Sequence, residues 1–161
     1  METGRSGRDT QDECRRHDLP GFLGSYRHQL DSQGRVSLPA PFRKGREREP
    51  FVLLKTQPDA LSLYPEDSWE SVQEELREMS RREPRFRPHV LRLTADAVQV
   101  SPDAQGRILI PERMRTAAAL GSEALVVGAI NHVQIWNPET FEAVTSATDE
   151  DFDRLIETVF A

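Results

Sequence analysis

The stretch Asp31-Ser-Gln-Gly-Arg-Val-Ser-Leu-Pro-Ala-Pro-Phe-Arg43 organises this chain, because a second version of it follows 72 residues later as Asp103-Ala-Gln-Gly-Arg-Ile-Leu-Ile-Pro-Glu-Arg-Met-Arg115. Six of the thirteen positions are identical, and three more keep an apolar residue. The same offset continues downstream, where Leu61-Ser-Leu-Tyr64 aligns with Val133-Gln-Ile-Trp136. A register held over some forty residues indicates one structural unit present twice.

The length of the chain limits how the two copies can fold. A chain of 161 residues corresponds to about one domain. Copies of roughly forty-five residues each rarely bury enough apolar surface to fold alone. We therefore expect the two copies to share one hydrophobic core.

Alternation of apolar and polar residues predicts the first strands of each copy. Residues 22–30 read as a strand, residues 31–34 as a tight reversal, and residues 35–38 as a second strand. Because the apolar residues of the second strand should face the core, Arg35 should face away from it. Arg107 occupies the same position in the second copy. Each copy is thus predicted to form a hairpin with an outward-facing arginine.

Downstream of each of these strands, the pattern predicts a short helix and a further hairpin. Prolines 39 and 111 have no amide hydrogen for a strand ladder and suit the first turn of a helix. The further hairpins comprise residues 51–55 with 61–64 in the first copy, and residues 125–128 with 133–136 in the second.

Helical periodicity predicts three longer helices. They begin at about Glu66, at Asn137-Pro138, and at Asp149. Pro84 should end the first helix, and residues 81–88 should link the two copies. The apolar stripe of the first helix comprises Trp69, Val72, Leu76 and Met79. The apolar stripe of the last helix comprises Phe152, Leu155, Ile156 and Val159.

The net charge of −6 is unevenly distributed. Residues 139–161 hold seven acids and one base, whereas residues 27–49 hold six bases and three acids, and residues 77–92 six bases and two acids. Binding of a charged partner depends on the field local to one face of a protein. The acidic total therefore does not exclude an anionic partner.

Composition and motif spacing argue against several classes of protein. No apolar run approaches the ~20 residues of a membrane span, and one cysteine, Cys14, allows no internal disulfide and fits a reducing cytosol. The four histidines are far apart, no nucleophile–base spacing is present, and no glycine-rich phosphate loop precedes a helix. We therefore expect no catalysis, no metal or cofactor, and no small-molecule substrate.

The segment Gly21–Arg43 resembles the opening of the MraZ family of bacterial transcriptional regulators, and Asp103–Pro111, with Val127-Gly128 and Ile135-Trp136, resembles its second half. The resemblance covers about residues 21–145. It implies an α+β, mainly β fold: a duplicated AbrB/SpoVT-like swapped-hairpin barrel with flanking helices. It also implies a ring-shaped homo-oligomer, cytoplasmic and nucleoid-associated. Such an oligomer would bind direct repeats in double-stranded DNA at the promoter of the division and cell-wall gene cluster and repress its own operon.

Composition and resemblance together predict five segments. Residues 1–20 are polar without an apolar period and are expected to be a disordered N-terminal extension. Residues 25–72 and 97–140 would be the two SpoVT-AbrB-like domains. Residues 73–96 would hold the end of a helix and a basic linker, and residues 141–161 an acidic helical tail.

Arg35 and Arg107 are the leading candidates for contact with DNA. Guanidinium groups exposed on hairpin tips can bind phosphates or guanine edges in a bidentate manner. The alternative is that each pairs with the aspartate of its own turn, Asp31 or Asp103, and only stiffens the turn. With the family pattern added, contact with DNA is favoured.

Other residues near the tips are weaker candidates. Gln33 and Gln105 could read adenine or merely cap the turn, and Gln33 stands where the family usually has lysine. Arg27 should share the outward face of the first hairpin. Three further basic residues could make flanking phosphate contacts or could be solvated charges: Arg43, Lys44 and Arg115. The densest basic run, interpreted as a solvated linker, comprises Arg81, Arg82, Arg85 and Arg87.

A second class of function remains open at this point. A ring-forming protein could regulate through a protein partner bound by its acidic C-terminal helix. The alternative for that helix, which we favour, is packing against its own domain or a neighbouring subunit.

Overall fold

The computed structural model describes residues 21–146 and 149–161, so the predicted N-terminal extension, residues 1–20, lies outside the described residues. The described strands are β1 (Ser25–Gln29), β2 (Arg35–Ser37), β3 (Phe51–Gln57), β4 (Ala60–Pro65), β5 (Val98–Val100), β6 (Arg107–Leu109), β7 (Glu123–Gly128) and β8 (Val133–Trp136). The described helices are α1 (Ala40–Arg43), α2 (Glu66–Arg82), α3 (Arg87–Asp96), α4 (Glu112–Ala117), α5 (Pro138–Thr145) and α6 (Asp149–Phe160), with a 3₁₀ turn at Pro84–Phe86.

The strands pair in an antiparallel manner in two sheets. Six form a sheet in the order β1-β7-β8-β4-β3-β5, and β2 pairs with β6. The prediction of an α+β, mainly β fold is confirmed. The predicted closed barrel is wrong for the part of the chain described, because β1 and β5 are separate edges of the larger sheet.

The predicted hairpin within each copy is also wrong. The reversal at residues 31–34 does form, with the amide of Asp31 donating to the carbonyl of Arg35 at 3.0 Å. The flanking strands then separate: β1 pairs with β7, and β2 pairs with β6. Pairing therefore crosses between the copies, which gives a physical basis for their shared core.

One core holds both copies together. Val36 and Ile108 lie opposite each other in the β2–β6 pair, and both are about 1% exposed. Edge-to-face ring contacts join Phe42 of α1 to Phe22 and Tyr26 of the first strand region. The other large side chains of this core are Leu38, Phe51, Leu53, Leu61, Leu63, Ile110, Met114, Val126, Val133 and Ile135.

The second hairpin of each copy and the helix after it are confirmed. β3 pairs with β4, and β7 pairs with β8. Asn137 caps α5, because its Oδ1 accepts from the amides of Glu139 at 2.9 Å and Thr140 at 3.3 Å, and Pro138 occupies the first turn. An aromatic pair follows each hairpin at equivalent positions, Tyr64 with Trp69 and Trp136 with Phe141.

Helix α3 is an element that the sequence analysis did not predict. Pro84 ends α2 as expected, but a 3₁₀ turn and then α3 follow where a linker was predicted. Pro88 stands in the first turn of α3, where its missing amide hydrogen costs the helix no bond. In the sequence alone, these prolines and the surrounding basic charges are equally typical of a loop.

Helix α6 begins at Asp149 as predicted, yet all of its residues are exposed. Packing of α6 against its own domain is therefore not seen. Among the described residues, we find no helix with the length and apolarity that crossing a bilayer requires.

Candidate nucleic-acid interface

The β2–β6 pair forms a short ribbon that presents one face outward. Arg35 lies opposite Leu109, and Ser37 lies opposite Arg107. Because side chains alternate along a strand, these four residues share the face away from the core. The two arginines stand at diagonal corners of that face, about 7 Å apart along the strand direction.

A turn built in the same way precedes each strand of the ribbon. Asp31 Oδ1 accepts from the amides of Gln33 at 2.8 Å and Arg35 at 2.9 Å. Asp103 Oδ1 accepts from the equivalent amides in the second copy at 2.9 Å each. The pKa of each aspartate is lowered, first by the hydrogen bond from the arginine amide. Both carboxylates are therefore ionised at neutral pH.

The turn glycines are held close to arginines of the opposite copy. Gly34 and Gly106 have φ values of +88° and +76°, a region that side chains rarely adopt. A Cβ built on Gly34 would lie 2.6 Å from Cζ of Arg115, and one built on Gly106 would lie 2.5 Å from Cζ of Arg43. Each guanidinium group thus supports the turn of the other copy.

Arg43 and Arg115 therefore have a structural role that sequence reasoning did not predict. Both side chains are half-buried. Arg43 Nε donates to the carbonyl of Leu38 at 2.8 Å. Arg115 Nε is buried without a hydrogen-bond partner among the described residues.

The two candidate arginines differ in their partners. Arg107 Nε donates to Asp103 Oδ2 at 3.1 Å, and its Nη1 lies 3.7 Å from Asp31 Oδ2. Arg107 thus pairs with the aspartate of its own turn, which is the alternative to DNA contact that the sequence left open. Its side chain is 31% exposed. For Arg35, no hydrogen bond or ion pair of the guanidinium group is seen within residues 21–146 and 149–161, although its charge contributes to lowering the pKa of Asp31.

Arg27 does not share the face of the ribbon as expected, because the strand that carries it pairs with β7. Its Nη1 lies 3.5 Å from Glu123 Oε2, and both side chains are largely exposed. Gln33 and Gln105 are exposed at the turn tips, and Lys44 is exposed just after α1.

Two residues important to this region were missed. Leu109 is 51% exposed on the outward face, beside Arg35. An apolar residue at an outward-facing strand position is the sequence signal that could have identified it. Arg46 is buried, and its Nη1 and Nη2 donate to Oδ1 and Oδ2 of Asp67 at 2.9 and 3.4 Å. Its guanidinium group lies over the ring of Phe22. Nothing in the local sequence distinguishes Arg46 from the neighbouring charged loop residues.

The described residues contain no group of three or more histidine, cysteine or acidic side chains able to hold a metal ion. What the ribbon does offer is a narrow, exposed element with cationic and apolar side chains. Its amide hydrogen bonds and the two supporting arginines keep the tips in a defined shape. Such an element suits contact with an anionic surface better than chemistry on a small molecule.

Comparison with known proteins agrees with this picture. The family model described as "MraZ protein, putative antitoxin-like" matches residues 22–89 and 93–160. The chain is 38% identical over 136 residues to the Transcriptional regulator MraZ of Pediococcus pentosaceus, covering 84% of this chain and 94% of that one. The protein of the same name from Thermomicrobium roseum is 40% identical over 122 residues, covering 76% and 85%. That from Cutibacterium acnes is 36% identical over 140 residues, covering 87% and 98%. The chain belongs to the MraZ family, which is a family of transcriptional regulators and not of enzymes.

Proposed function

We propose that this regulator binds double-stranded DNA with its β2–β6 ribbon. The major groove of B-form DNA admits a two-stranded ribbon. The outward face of this ribbon carries two arginines at diagonal corners, with Leu109 and Ser37 at the other two. The crossed pairing behind it supports the further proposal that the two copies form a swapped hairpin of the AbrB/SpoVT kind.

Each side chain of the ribbon has a role in this proposal. Arg35 and Arg107 bind guanine O6 and N7 or phosphate oxygens, and Leu109 contacts a thymine methyl group. Gln33 and Gln105 lie at the tips, where they reach adenine or the backbone. Arg43 and Arg115 act mainly by holding the turns, and Lys44 and Arg27 make peripheral phosphate contacts.

One ribbon with two arginines would bind DNA weakly, so assembly is part of the proposal. Rigidly linked ribbons gain affinity through effective concentration when the spacing of the DNA sites matches that of the protein. A ring-shaped homo-oligomer reading direct repeats about one helical turn, ~10 bp, apart meets this condition. We place these repeats in the promoter of the division and cell-wall gene cluster, where binding represses the operon of the protein itself, at the nucleoid in the cytoplasm.

The observation that carries the proposal is the outward position of Arg35 without a partner among the described residues. The test is fluorescence anisotropy with a duplex from upstream of the gene of this protein and a scrambled duplex at fixed salt. Changing Arg35→Ala and Arg107→Ala together should weaken binding about thirtyfold if each arginine contributes about 1 kcal/mol. The slope of log affinity against log salt should fall by about 1.8, or ~0.9 per phosphate contact, if both contacts are to phosphate.

A matched control is Arg82→Ala with Arg85→Ala, which removes the same two charges from exposed arginines paired with Glu78 and Glu83. It should leave affinity nearly unchanged, and circular dichroism melts should show that all variants stay folded. Unchanged affinity of a folded double variant would contradict the assignment of the ribbon.

A further inference from the structure

Helix α6 presents an apolar stripe that no described residue of its own chain covers. Its large apolar side chains lie at spacings of three and four, as on one face of a helix. Around this stripe, residues 149–160 carry five acids and one base. The exposed apolar residues are Phe152, Leu155, Ile156, Val159 and Phe160, with exposures from 41% to 76%.

A surface that could complement this acidic, apolar helix lies between α2 and α3. A groove of about 450 Å³ runs between these helices, with a mainly apolar lining. Trp69, Leu76 and Val90 contribute its apolar surface. Its polar lining residues are Gln73, Arg77, Ser80, Arg81, Arg87 and Thr94.

The groove is lined by three arginines and, among the described residues, by no acidic one. Arg77 pairs with Glu74, and Arg81 pairs with Glu78 on the same helix. Arg87 Nε donates to the carbonyl of Ser80 at 3.1 Å, which ties α3 to α2. Residues 66–96 as a whole carry eight acids and six bases, but no described acidic residue lines the groove, so the positive charge belongs to the three lining arginines.

We propose that α6 of one chain docks in the α2–α3 groove of a second copy of this chain. The apolar stripe would cover the apolar lining, and the acidic flanks would meet the basic residues around it. A helix of twelve residues is about 18 Å long, and opposite charges on the two surfaces favour this pairing over a like-charged one.

The positions of the helices in one chain agree with an intermolecular contact. Helix α5, which precedes α6, packs against β7, whereas α2 packs against β3 and β4. Helix α6 is exposed throughout, so it does not occupy the groove of its own chain. Because each chain carries one stripe and one groove, the contact is head-to-tail, and it closes into a ring if the rotation between neighbours allows. The inference thus deepens the proposed assembly and rests on it.

The first test measures mass by light scattering in the absence of DNA. Leu155→Asp with Val159→Asp should convert the wild-type oligomer to smaller species, and so should Val90→Asp in the groove. The matched control is Leu91→Asp, because Leu91 is 69% exposed on the same helix and does not line the groove. It should leave the mass unchanged. Thermal melts by circular dichroism identify any variant that fails to fold, and only folded variants count.

A charge reversal keeps the proposal testable even if apolar variants misfold. Arg77→Glu with Arg81→Glu should weaken assembly, and so should Asp153→Arg with Glu157→Arg. Mixing the two variants should restore it, since each then offers one reversed surface to the other. Reduced assembly of each variant with no recovery on mixing would overturn the pairing.

A cross-linking experiment identifies the occupant of the groove. With Cys14→Ser in both chains, Thr94→Cys in one should cross-link to Val159→Cys in the other, and differently sized tags would identify the mixed product. Cross-linking only when both cysteines lie in one chain would overturn the proposal, as would a monomeric wild-type protein. A folded protein that assembles in this way but binds no DNA would contradict the proposed function and leave this inference standing.

Discussion

The two copies of the thirteen-residue motif differ in what surrounds their arginines, although their backbones follow the same course. In the first copy Arg35 has no ion pair among the described residues, whereas in the second Arg107 lies near two carboxylates. Below the turns the pattern reverses: Arg43 Nε has the carbonyl of Leu38 as its acceptor, and Arg115 Nε has no described partner. The first copy therefore has the freer tip arginine, while its turn lies against Arg115, the supporting arginine whose Nε has no described partner.

A second difference lies just after the short helices. Arg46 and Ala118 occupy equivalent positions, and both are buried. The first copy fills this position with a charged side chain held by Asp67 of α2, and the second copy fills it with a methyl group. The duplicated fold thus tolerates either an ion pair or apolar packing at one site. The four predictions that follow test these differences.

The largest expected effect is on stability at this position. Arg46→Ala would leave Asp67 without its cation and would remove packing on Phe22. We expect the free energy of unfolding to fall by about 2–3 kcal/mol, less than the ~3–5 kcal/mol of a fully buried broken pair, because the Asp67 side chain is 35% exposed. Urea denaturation at pH 7 measures this. Arg48→Ala, at an exposed position, is the control and should change stability little.

The same pair should make stability depend on pH in a defined direction. Burial alone would raise the pKa of Asp67, but the hydrogen bond and charge of Arg46 outweigh it, and the pKa lies below 3.8. A carboxyl whose folded pKa is below its unfolded value stabilises the protein above the unfolded pKa. The advantage of the wild type over Asp67→Asn should therefore be full at pH 6 and shrink as pH falls below about 4. A constant difference over that range would contradict the ion pair.

The next effect concerns the turn glycines. Gly34→Ala and Gly106→Ala should each cost about 1–2 kcal/mol, because alanine disfavours left-handed backbone. Gly106→Ala should cost more, since Arg43 is held by Leu38 and cannot readily move from the new Cβ. Gly121→Ala is the matched control, because a Cβ there has no neighbour within 4 Å. Equal costs at Gly34 and Gly106 would show that the hydrogen bond of Arg43 does not restrain it.

The smallest effect is on DNA affinity. Asp103→Asn keeps an oxygen for the two turn amides but removes the carboxylate that holds Arg107. We expect DNA affinity to rise about two- to fivefold, because breaking an exposed ion pair changes the free energy by up to about 1 kcal/mol. Anisotropy titrations should then give Arg107→Ala, made in this background, a larger effect than in the wild type. Weaker binding by a folded Asp103→Asn variant would mean that the pairing orients Arg107 productively.

Local patterns predicted those features that depend on near neighbours in the chain. The second hairpins, the cap at Asn137 and the start of α6 follow from turn residues and periodicity over a few positions. The crossed pairing of β1 with β7 and β2 with β6 did not follow, because the inward and outward alternation of a strand does not identify its partner. Helix α3 was missed because proline and arginine suit both a loop and the first turn of a helix.

In the candidate site, too, some features follow from the local sequence and others depend on contacts between distant residues. The outward direction of Arg35 and Arg107 could be predicted, because Val36 and Ile108 between polar residues must face the core. The partners of these arginines could not be predicted, and neither could the position of Arg115 beneath Gly34, since such contacts join residues far apart in sequence. The separation of Arg27 from the ribbon followed from the same unpredicted strand exchange.

The sequence by itself determined that one unit occurs twice, that each unit turns at an aspartate and a glycine, and which face of each strand is apolar. These features follow from the period of the side chains and from backbone preferences within a few residues. Only the tertiary structure decided that the copies exchange strands, that Arg107 is paired while Arg35 has no ion pair among the described residues, and that no described segment covers α6. Those outcomes depend on contacts between distant segments, which exist only once the chain has folded around its shared core.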